Sequence, residues 1–180
     1  LYMGVDIGRK KDLTVLWVLE RLGDVLYTRA VITMAKMRKS AQEDILWPWF
    51  KIAERVCIDN TGLGIGWTDD AQDKFGSYRV EGVTFTAQVK ESLAYPVRSH
   101  MEDRRLRIPH DREIRSDLRS VTKTTTAAGN IRFTAERTPD GHADRFWALA
   151  LALHAASSPA VPVEFKTLDR PRFAAGLNDF

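Results

Sequence analysis

Asp144 heads the stretch DRFWALALALHAA, in which nearly every following position is apolar. At 3.6 residues per turn it points the same way as Trp147, Ala148, Leu151 and Ala155, a direction that faces the core of any helix packed on a sheet. Desolvating a lone carboxylate there is costly unless a cation, a metal or several donors compensate it. A first-turn acid also complements the helix dipole, and Asp140 can serve as N-cap. Two more aspartates lie in short apolar runs, Asp6 in YMGVDIG and Asp59 in RVCIDN, and Asp59 also suits an Asx-turn into Thr61-Gly62. If the three converge, each raises the pKa of the next. Two divalent cations remove the conflict, because hard Mg2+ or Mn2+ prefers oxygen ligands. A metal pair roughly 3.5–4 Å apart can lower the pKa of an attacking water and stabilise a leaving 3′ oxygen, which is the chemistry of phosphodiester cleavage.

The elements that hold these acids are readable from periodicity. Residues 2–8 have strand composition, with Tyr2, Gly4 and Asp6 on one face and Met3, Val5 and Ile7 on the other. DLTVLWVLERL and DVLYTRAVITMA are two further β-rich runs joined at Gly23-Asp24, so the first three strands form a meander. Ser40 and Glu43 match a capping box for a helix to about Arg55, with Pro48 expected to kink or split it. RVCIDN reads as a buried parallel strand ending at Asp59. A helix over 66–75, a strand over 80–87, a helix over 89–105 interrupted at Pro96, an extended RLRIP and a polar helix over 111–120 follow. VTKTTTAAGNIRFTAE predicts a hairpin turning at Gly129-Asn130. Strand–helix alternation after a meander implies a mixed sheet with helices on both faces.

A length of 180 residues at 44% hydrophobic content suits one well-filled core. The formal charge of +3 is compatible with a polyanionic partner. Cys57 is the only cysteine, which rules out an internal disulfide, and its apolar neighbours predict a buried thiol in a reducing compartment. No run approaches the roughly 20 apolar residues that span a bilayer, and no signal peptide is visible, so a soluble intracellular domain is expected. The start at Leu1-Tyr2, with strand residues at once, points to further chain upstream. Residues 158–180 are proline-containing and aperiodic, and read as a tail or linker after a domain spanning 1–157.

GVDIG with Asp6, VCIDNTGLG with Asp59, VKESLAYPVRSHMEDRRLRIPHD and GHADRFWALALALHA with Asp144 occur in an order that resembles the nuclease domain of the tailed-bacteriophage terminase large subunit, a branch of the ribonuclease H-like superfamily. The resemblance covers about residues 1–157. It implies an α/β fold whose mixed five-stranded sheet joins an antiparallel three-strand meander to parallel strands, flanked by helices, with an added β-hairpin near the active site. It implies a metal-dependent endonuclease that cuts concatemeric double-stranded DNA when genome packaging starts and stops, using two Mg2+ or Mn2+ ions. Asp6 is then the bridging ligand and Asp59 and Asp144 the outer ligands, with His142 or Asp140 as auxiliary candidates. Expected partners are an ATPase motor domain, a terminase small subunit and the portal of the procapsid, in the cytoplasm of the infected bacterial host. The chain carries no G-x-x-x-x-G-K-[ST] loop, so translocation is not assigned to it.

Cleaving duplex DNA requires cations on phosphates. Candidates are Arg9, Lys10 and Lys11 after the first acid, Lys123, Arg132 and Arg137 on or beside the hairpin, and Lys90, which matches a lysine of the family pattern and could otherwise pair with Glu91 or Glu102. Arg104, Arg105, Arg107, Arg112, Arg115 and Arg119 are interleaved with Asp103, Asp111, Glu113 and Asp117, which predicts a salt-bridged solvated face. His154 reads as structural and most tryptophans as core. A Holliday-junction resolvase or transposase core would use similar acids. GVDIGRKKDLTV and DNTGLG also resemble phosphate loops of actin-like sugar kinases, but those folds need two domains. A noncatalytic assembly module is the remaining alternative.

Overall fold

Alternating strands in the first 34 residues fold as the expected meander: β1 (Tyr2–Asp6), β2 (Thr14–Leu22) and β3 (Val25–Met34) pair antiparallel in a computed structural model that describes residues 1–8, 13–125, 129, 131–135 and 143–157. The β2–β3 turn places Gly23 at φ 65°, a conformation that favours glycine. The chain continues through α1 (Lys39–Ile52), β4 (Arg55–Asp59), α2 (Gly64–Phe75), β5 (Val80–Val83), α3 (Ala87–Glu102), β6 (Leu106–Arg107), α4 (Arg112–Ser120), β7 (Val121–Thr125), β8 (Ile131–Ala135) and α5 (Asp144–Ser157). The main sheet runs β5-β4-β1-β2-β3-β6, with β1–β4, β4–β5 and β3–β6 parallel, and β7–β8 forms a separate hairpin. The sheet thus has the five expected strands plus a sixth of two residues, formed where Leu106 pairs with Leu26 and Arg107 with Tyr27 before Pro109 ends the run.

β1 lies inside the sheet and serves two cores. Met3 and Val5 face a cluster with Leu46 and Phe50 of α1 and Trp67 and Ala71 of α2. Gly4 faces the opposite layer, where α5 packs with α3 on the sheet. A Cβ built at Gly4 would lie 2.8 Å from the Leu151 carbonyl carbon and nearer still to the Ala148 oxygen and the Ala152 nitrogen. Glycine therefore lets the helix backbone rest directly on the strand. Apart from half-buried His154 and exposed Ser157, every residue of α5 is buried, which explains its unbroken apolar run.

Several local expectations are corrected. The Ser40–Glu43 capping box does not form: α1 begins one residue earlier, the Arg38 carbonyl accepts from the Ala41 and Gln42 amides, and Glu43 approaches Lys39 at 3.8 Å. Ser40 is thereby inside the first turn, where its hydroxyl cannot act as N-cap. Pro48 does not split α1, because Trp47 packs edge-on against Phe50 and Trp67 at 5.3 and 5.9 Å and holds the helix to its neighbours. Pro96 likewise lies inside a continuous α3. The interleaved charges of α4 do not form a purely local salt-bridged face. Asp111 caps the helix through Oδ1, accepting from the Glu113 and Ile114 amides at 2.8 and 2.9 Å. Glu113 and Asp117 turn instead to Arg145 of α5, which is only 7% exposed and requires a counter-charge. Arg105 does pair with Asp103 as the pattern suggested.

Candidate active site

Register sets the first two acids side by side. In the parallel β1–β4 ladder Tyr2 pairs with Arg55, Met3 with Val56, Gly4 with Cys57 and Val5 with Ile58. One further step puts Asp6 level with Asp59, on strands about 4.8 Å apart. Both side chains lie two residues beyond Gly4 and Cys57, on the face covered by α5. Ala148 and Ala152 sit over Gly4, and Arg21 of β2 donates to the Ala156 carbonyl at the far end, so α5 runs antiparallel to β1. Asp144, one turn before Ala148, is thereby carried to the Asp6 end of the strand. There its Oδ2 accepts from the Leu13 amide at 3.1 Å, just ahead of the β2 segment whose Val15 pairs with Asp6.

Asp6 and Asp144 are 8% and 6% exposed, whereas Asp59 is half-buried. Asp59 also makes the Asx-turn that its sequence context suggested, Oδ1 accepting from the Thr61 amide at 2.9 Å. Thr61 in turn accepts from the Phe85 amide at 3.0 Å, and the Asn60 amide donates to the Val83 carbonyl at 2.9 Å. These bonds tie the Asp59 end of β4 to the start of α3. A Cβ at Gly64 would meet the Asp59 carbonyl group, so α2 can begin against the acid-bearing strand only with glycine there. Ala143 has φ 62°, a left-handed backbone that costs a non-glycine residue roughly 1–2 kcal/mol and that immediately precedes Asp144.

Lys90 projects from the first turns of α3 toward the same end. Its ammonium lies 4.7 Å from the Trp147 ring centre and 5.3 Å from that of Phe85, rather than on Glu91 or Glu102, the alternative partners. Glu102 pairs with Arg98 at 2.7 Å. Trp147 is one turn past Asp144, and Phe85 is the residue bonded to Thr61, so the two aromatics place Lys90 beside the acid-bearing elements. Apolar spacing marked Trp147 as core and did not reveal this cradle.

Lys123 and Arg132 occupy opposite faces of the hairpin, since Lys123 is level with Phe133 and Arg132 with Thr124. Lys123 Nζ donates to Tyr95 Oη at 2.9 Å, and Tyr95 packs edge-on against Phe133 at 5.3 Å, which fastens the hairpin to α3. Arg132 is exposed. Arg9, Lys10, Lys11, Arg137, Asp140 and His142 lie outside the described residues, as does the segment 158–180. On the other side of the sheet, a cavity of about 400 Å³ lined by Gly8, Thr14, Lys36, Lys39, Gln42 and Trp67 opens at the same end. Lys39 there is already held by Asp70 and stands over the Trp67 ring.

Residues 3–156 match the family model described as the terminase RNaseH-like domain. No curated protein sequence matches the chain significantly. Among solved structures, the chain is similar to the large terminase nuclease of thermophilic phage G20c with bound magnesium, at 26% identity and a TM-score of 0.71 over 85% of this chain and 79% of that one. It is similar also to the large terminase nuclease domain of Thermus phage P74-26, at 25% identity and a TM-score of 0.68 over 84% and 76%. The HK97 bacteriophage large terminase shares the fold at 15% identity and a TM-score of 0.63, with 86% of this chain covering 39% of that one.

Proposed function

This chain belongs to the terminase RNaseH-like domain family, and on that premise we propose that it is the metal-dependent endonuclease domain of a viral DNA-packaging terminase. The observation that carries the reading is the level register of Asp6 and Asp59, with Asp144 brought to the same strand end by the contact of α5 on Gly4. Three carboxylates from three elements form an oxygen-only donor set, the set that suits a hard divalent ion such as Mg2+ or Mn2+. The G20c nuclease with bound magnesium supports the same class of ion. Asp6 is the shared ligand and Asp59 and Asp144 are the outer ones, with Asp140 or His142 as auxiliary donors. When bound, a pair of such ions lowers the pKa of the attacking water and offsets charge on the leaving 3′ oxygen.

The protein's own groups prepare that chemistry. Leu13 donates its amide to Asp144 Oδ2, and Thr61 donates its amide to Asp59 Oδ1, which fixes the orientation of both carboxylates. Lys90, held by two rings, presents its ammonium to the scissile phosphate, and Arg9, Lys10, Lys11, Lys123, Arg132 and Arg137 hold flanking phosphates of double-stranded DNA. The substrate is concatemeric DNA, cut at initiation and termination of packaging. The domain then works beside an ATPase motor, a small subunit and the portal, in the host cytoplasm, with residues 158–180 as a tail after the 1–157 domain. No described helix is long and apolar enough to cross a membrane.

A plasmid assay tests the reading. The purified chain should relax and then linearise supercoiled plasmid with Mn2+ or Mg2+, stop in EDTA, and lose cutting in Asp6→Ala, Asp59→Ala and Asp144→Ala. Parent-like cutting by all three variants overturns the assignment. Preference for four-way junctions, or strand transfer, would move it to a resolvase or transposase core.

A further inference from the structure

Behind the acids, one strand step deeper, a second set of donors converges. Cys57 of β4 is paired in the ladder with Glu81 of β5, and His154 of α5 reaches over both. Cys57 Sγ is 3.6 Å from Glu81 Oε2, His154 Nε2 is 3.5 Å from Glu81 Oε1, and one ligand atom from each residue lies within 4.8 Å of the other two. We propose that Cys57, Glu81 and His154 form a binding site for a thiophilic divalent cation, with Zn2+ as its natural occupant, separate from the carboxylate site that takes hard ions.

Geometry is the first argument. Tetrahedral zinc with bonds of about 2.3 Å to sulfur and about 2.0–2.1 Å to nitrogen or oxygen has ligand–ligand edges of roughly 3.3–3.6 Å. The Cys57 and His154 donors each lie at about that distance from a Glu81 oxygen, one from Oε2 and the other from Oε1, and a single donor atom from each of the three residues lies within 4.8 Å of the others. Donor chemistry is the second. A thiolate and an imidazole select a soft or borderline ion over Mg2+, whereas three aspartates do the reverse, so the two sites sort ions by ligand type. Charge is the third: Zn2+, one thiolate and one carboxylate sum to zero, which suits a site whose cysteine is fully buried. Binding breaks the Cys57 S–H bond, forms a sulfur–metal bond and releases the proton to solvent, with no change of oxidation state. His154 and Glu81, 38% and 34% exposed at their side chains, give the ion and the proton a path, and a water completes the coordination.

Arg55 fits as an outer partner. Its Nη2 lies 2.5 Å from Glu81 Oε2, and a carboxylate has enough lone pairs to keep that contact while binding an ion. An ion here would clamp β4, β5 and α5 together directly behind Asp59, which is the consequence for the nuclease.

Co2+ is the probe, titrated into the EDTA-stripped chain while the near-ultraviolet thiolate-to-cobalt charge-transfer band is followed. Because Cys57 is the only cysteine, any such band reports on it. The expected result is a saturable band at one Co2+ per chain, displaced by Zn2+ and not by Mg2+, together with a Zn2+-dependent rise in Tm. His154→Ala and Glu81→Gln should each weaken the band by more than the roughly 10- to 100-fold that loss of an outer partner costs. Asp6→Asn should leave it unchanged, which separates this site from the nuclease reading: either can fail while the other stands. No band at millimolar Co2+, or a band whose affinity neither His154→Ala nor Glu81→Gln alters, shows adventitious binding to the thiol and overturns the proposal.

Discussion

Replacing Gly4 by alanine tests whether the α5 contact sets the proposed active site. The new methyl would sit 2.8 Å from the Leu151 carbonyl carbon, with two backbone atoms nearer, whereas carbon–carbon contacts settle at about 3.5–4.0 Å. Relief requires the helix to lift by about 1 Å, and the obstacle is backbone, so no side-chain rotation can absorb it. Overpacking of this kind costs about 1–3 kcal/mol, and the upper end applies here, corresponding to a Tm lower by roughly 6–12 °C at this size. The same lift carries Asp144 away from Asp6 and Asp59, and a 1 Å misplacement of a catalytic group costs about 100-fold in rate. The assay is plasmid nicking well below the Tm of the variant, beside thermal denaturation of both proteins. Gly66→Ala is the control: a Cβ there meets nothing within 4 Å, so it should keep activity and gain about 0.5–1 kcal/mol from the added helix propensity. A Gly4→Ala protein with parental stability and cutting would refute the reasoning.

Three further outcomes follow from individual contacts. Lys90→Met should preserve the packing on Trp147 and Phe85 while lowering the salt dependence of DNA binding by about one phosphate contact, measured as the slope of log affinity against log salt. An unchanged slope would remove Lys90 from the DNA interface. In a double-mutant cycle, Arg145→Ala and Asp117→Ala should show a coupling of about 1–3 kcal/mol in urea denaturation, because the guanidinium is nearly buried and Asp117 is its 3.2 Å partner. Glu81 is held down to about 2, first by its hydrogen bond to His154 and also by Arg55, against desolvation that acts the other way. A depressed acid stabilises the fold above its unfolded value near 4.5 and loses that contribution as pH falls toward about 2. Measured in EDTA, Glu81→Gln should therefore be less stable than the parent by about 1–2 kcal/mol after solvent screening, fully so above pH 4.5, with the gap closing below it. A gap that widens on acidification would contradict the sign.

The parts of this molecule that were legible in the amino-acid order are those governed by local period. Alternation fixed the faces of β1, including Asp6 and Gly4 on one side, and the apolar run of α5 announced a helix buried around nearly its whole circumference. The inward acid at its start was visible for the same reason. Pairings between distant elements were not legible. Nothing near Arg145 signals that Glu113 and Asp117 would turn to it, since the arginines adjacent to them in sequence, Arg112, Arg115 and Arg119, offer charge partners closer along the chain. Nothing near Lys90 marks Phe85 and Trp147 as its partners rather than Glu91. The meeting of Cys57, Glu81 and His154 depends on the β4–β5 register and on how α5 crosses it. The available hint was weak: Arg55 and Cys57 alternate with apolar residues on β4, and Glu81 does so on β5, leaving polar groups facing a helix that ends in histidine.

Among the described residues, the hairpin β7–β8 makes no ladder hydrogen bonds with the main sheet, while Asp6 and Asp59 sit on adjoining strands inside it. A two-stranded ribbon is marginal by itself, and this one is held chiefly by side-chain packing on α3, so its amides should exchange with solvent faster than those of β1 inside the sheet. On the proposed function, the ribbon can thus open and close many times over a sheet that stays put, and a long polymer can shift it sideways while the proposed ion-binding residues keep their alignment.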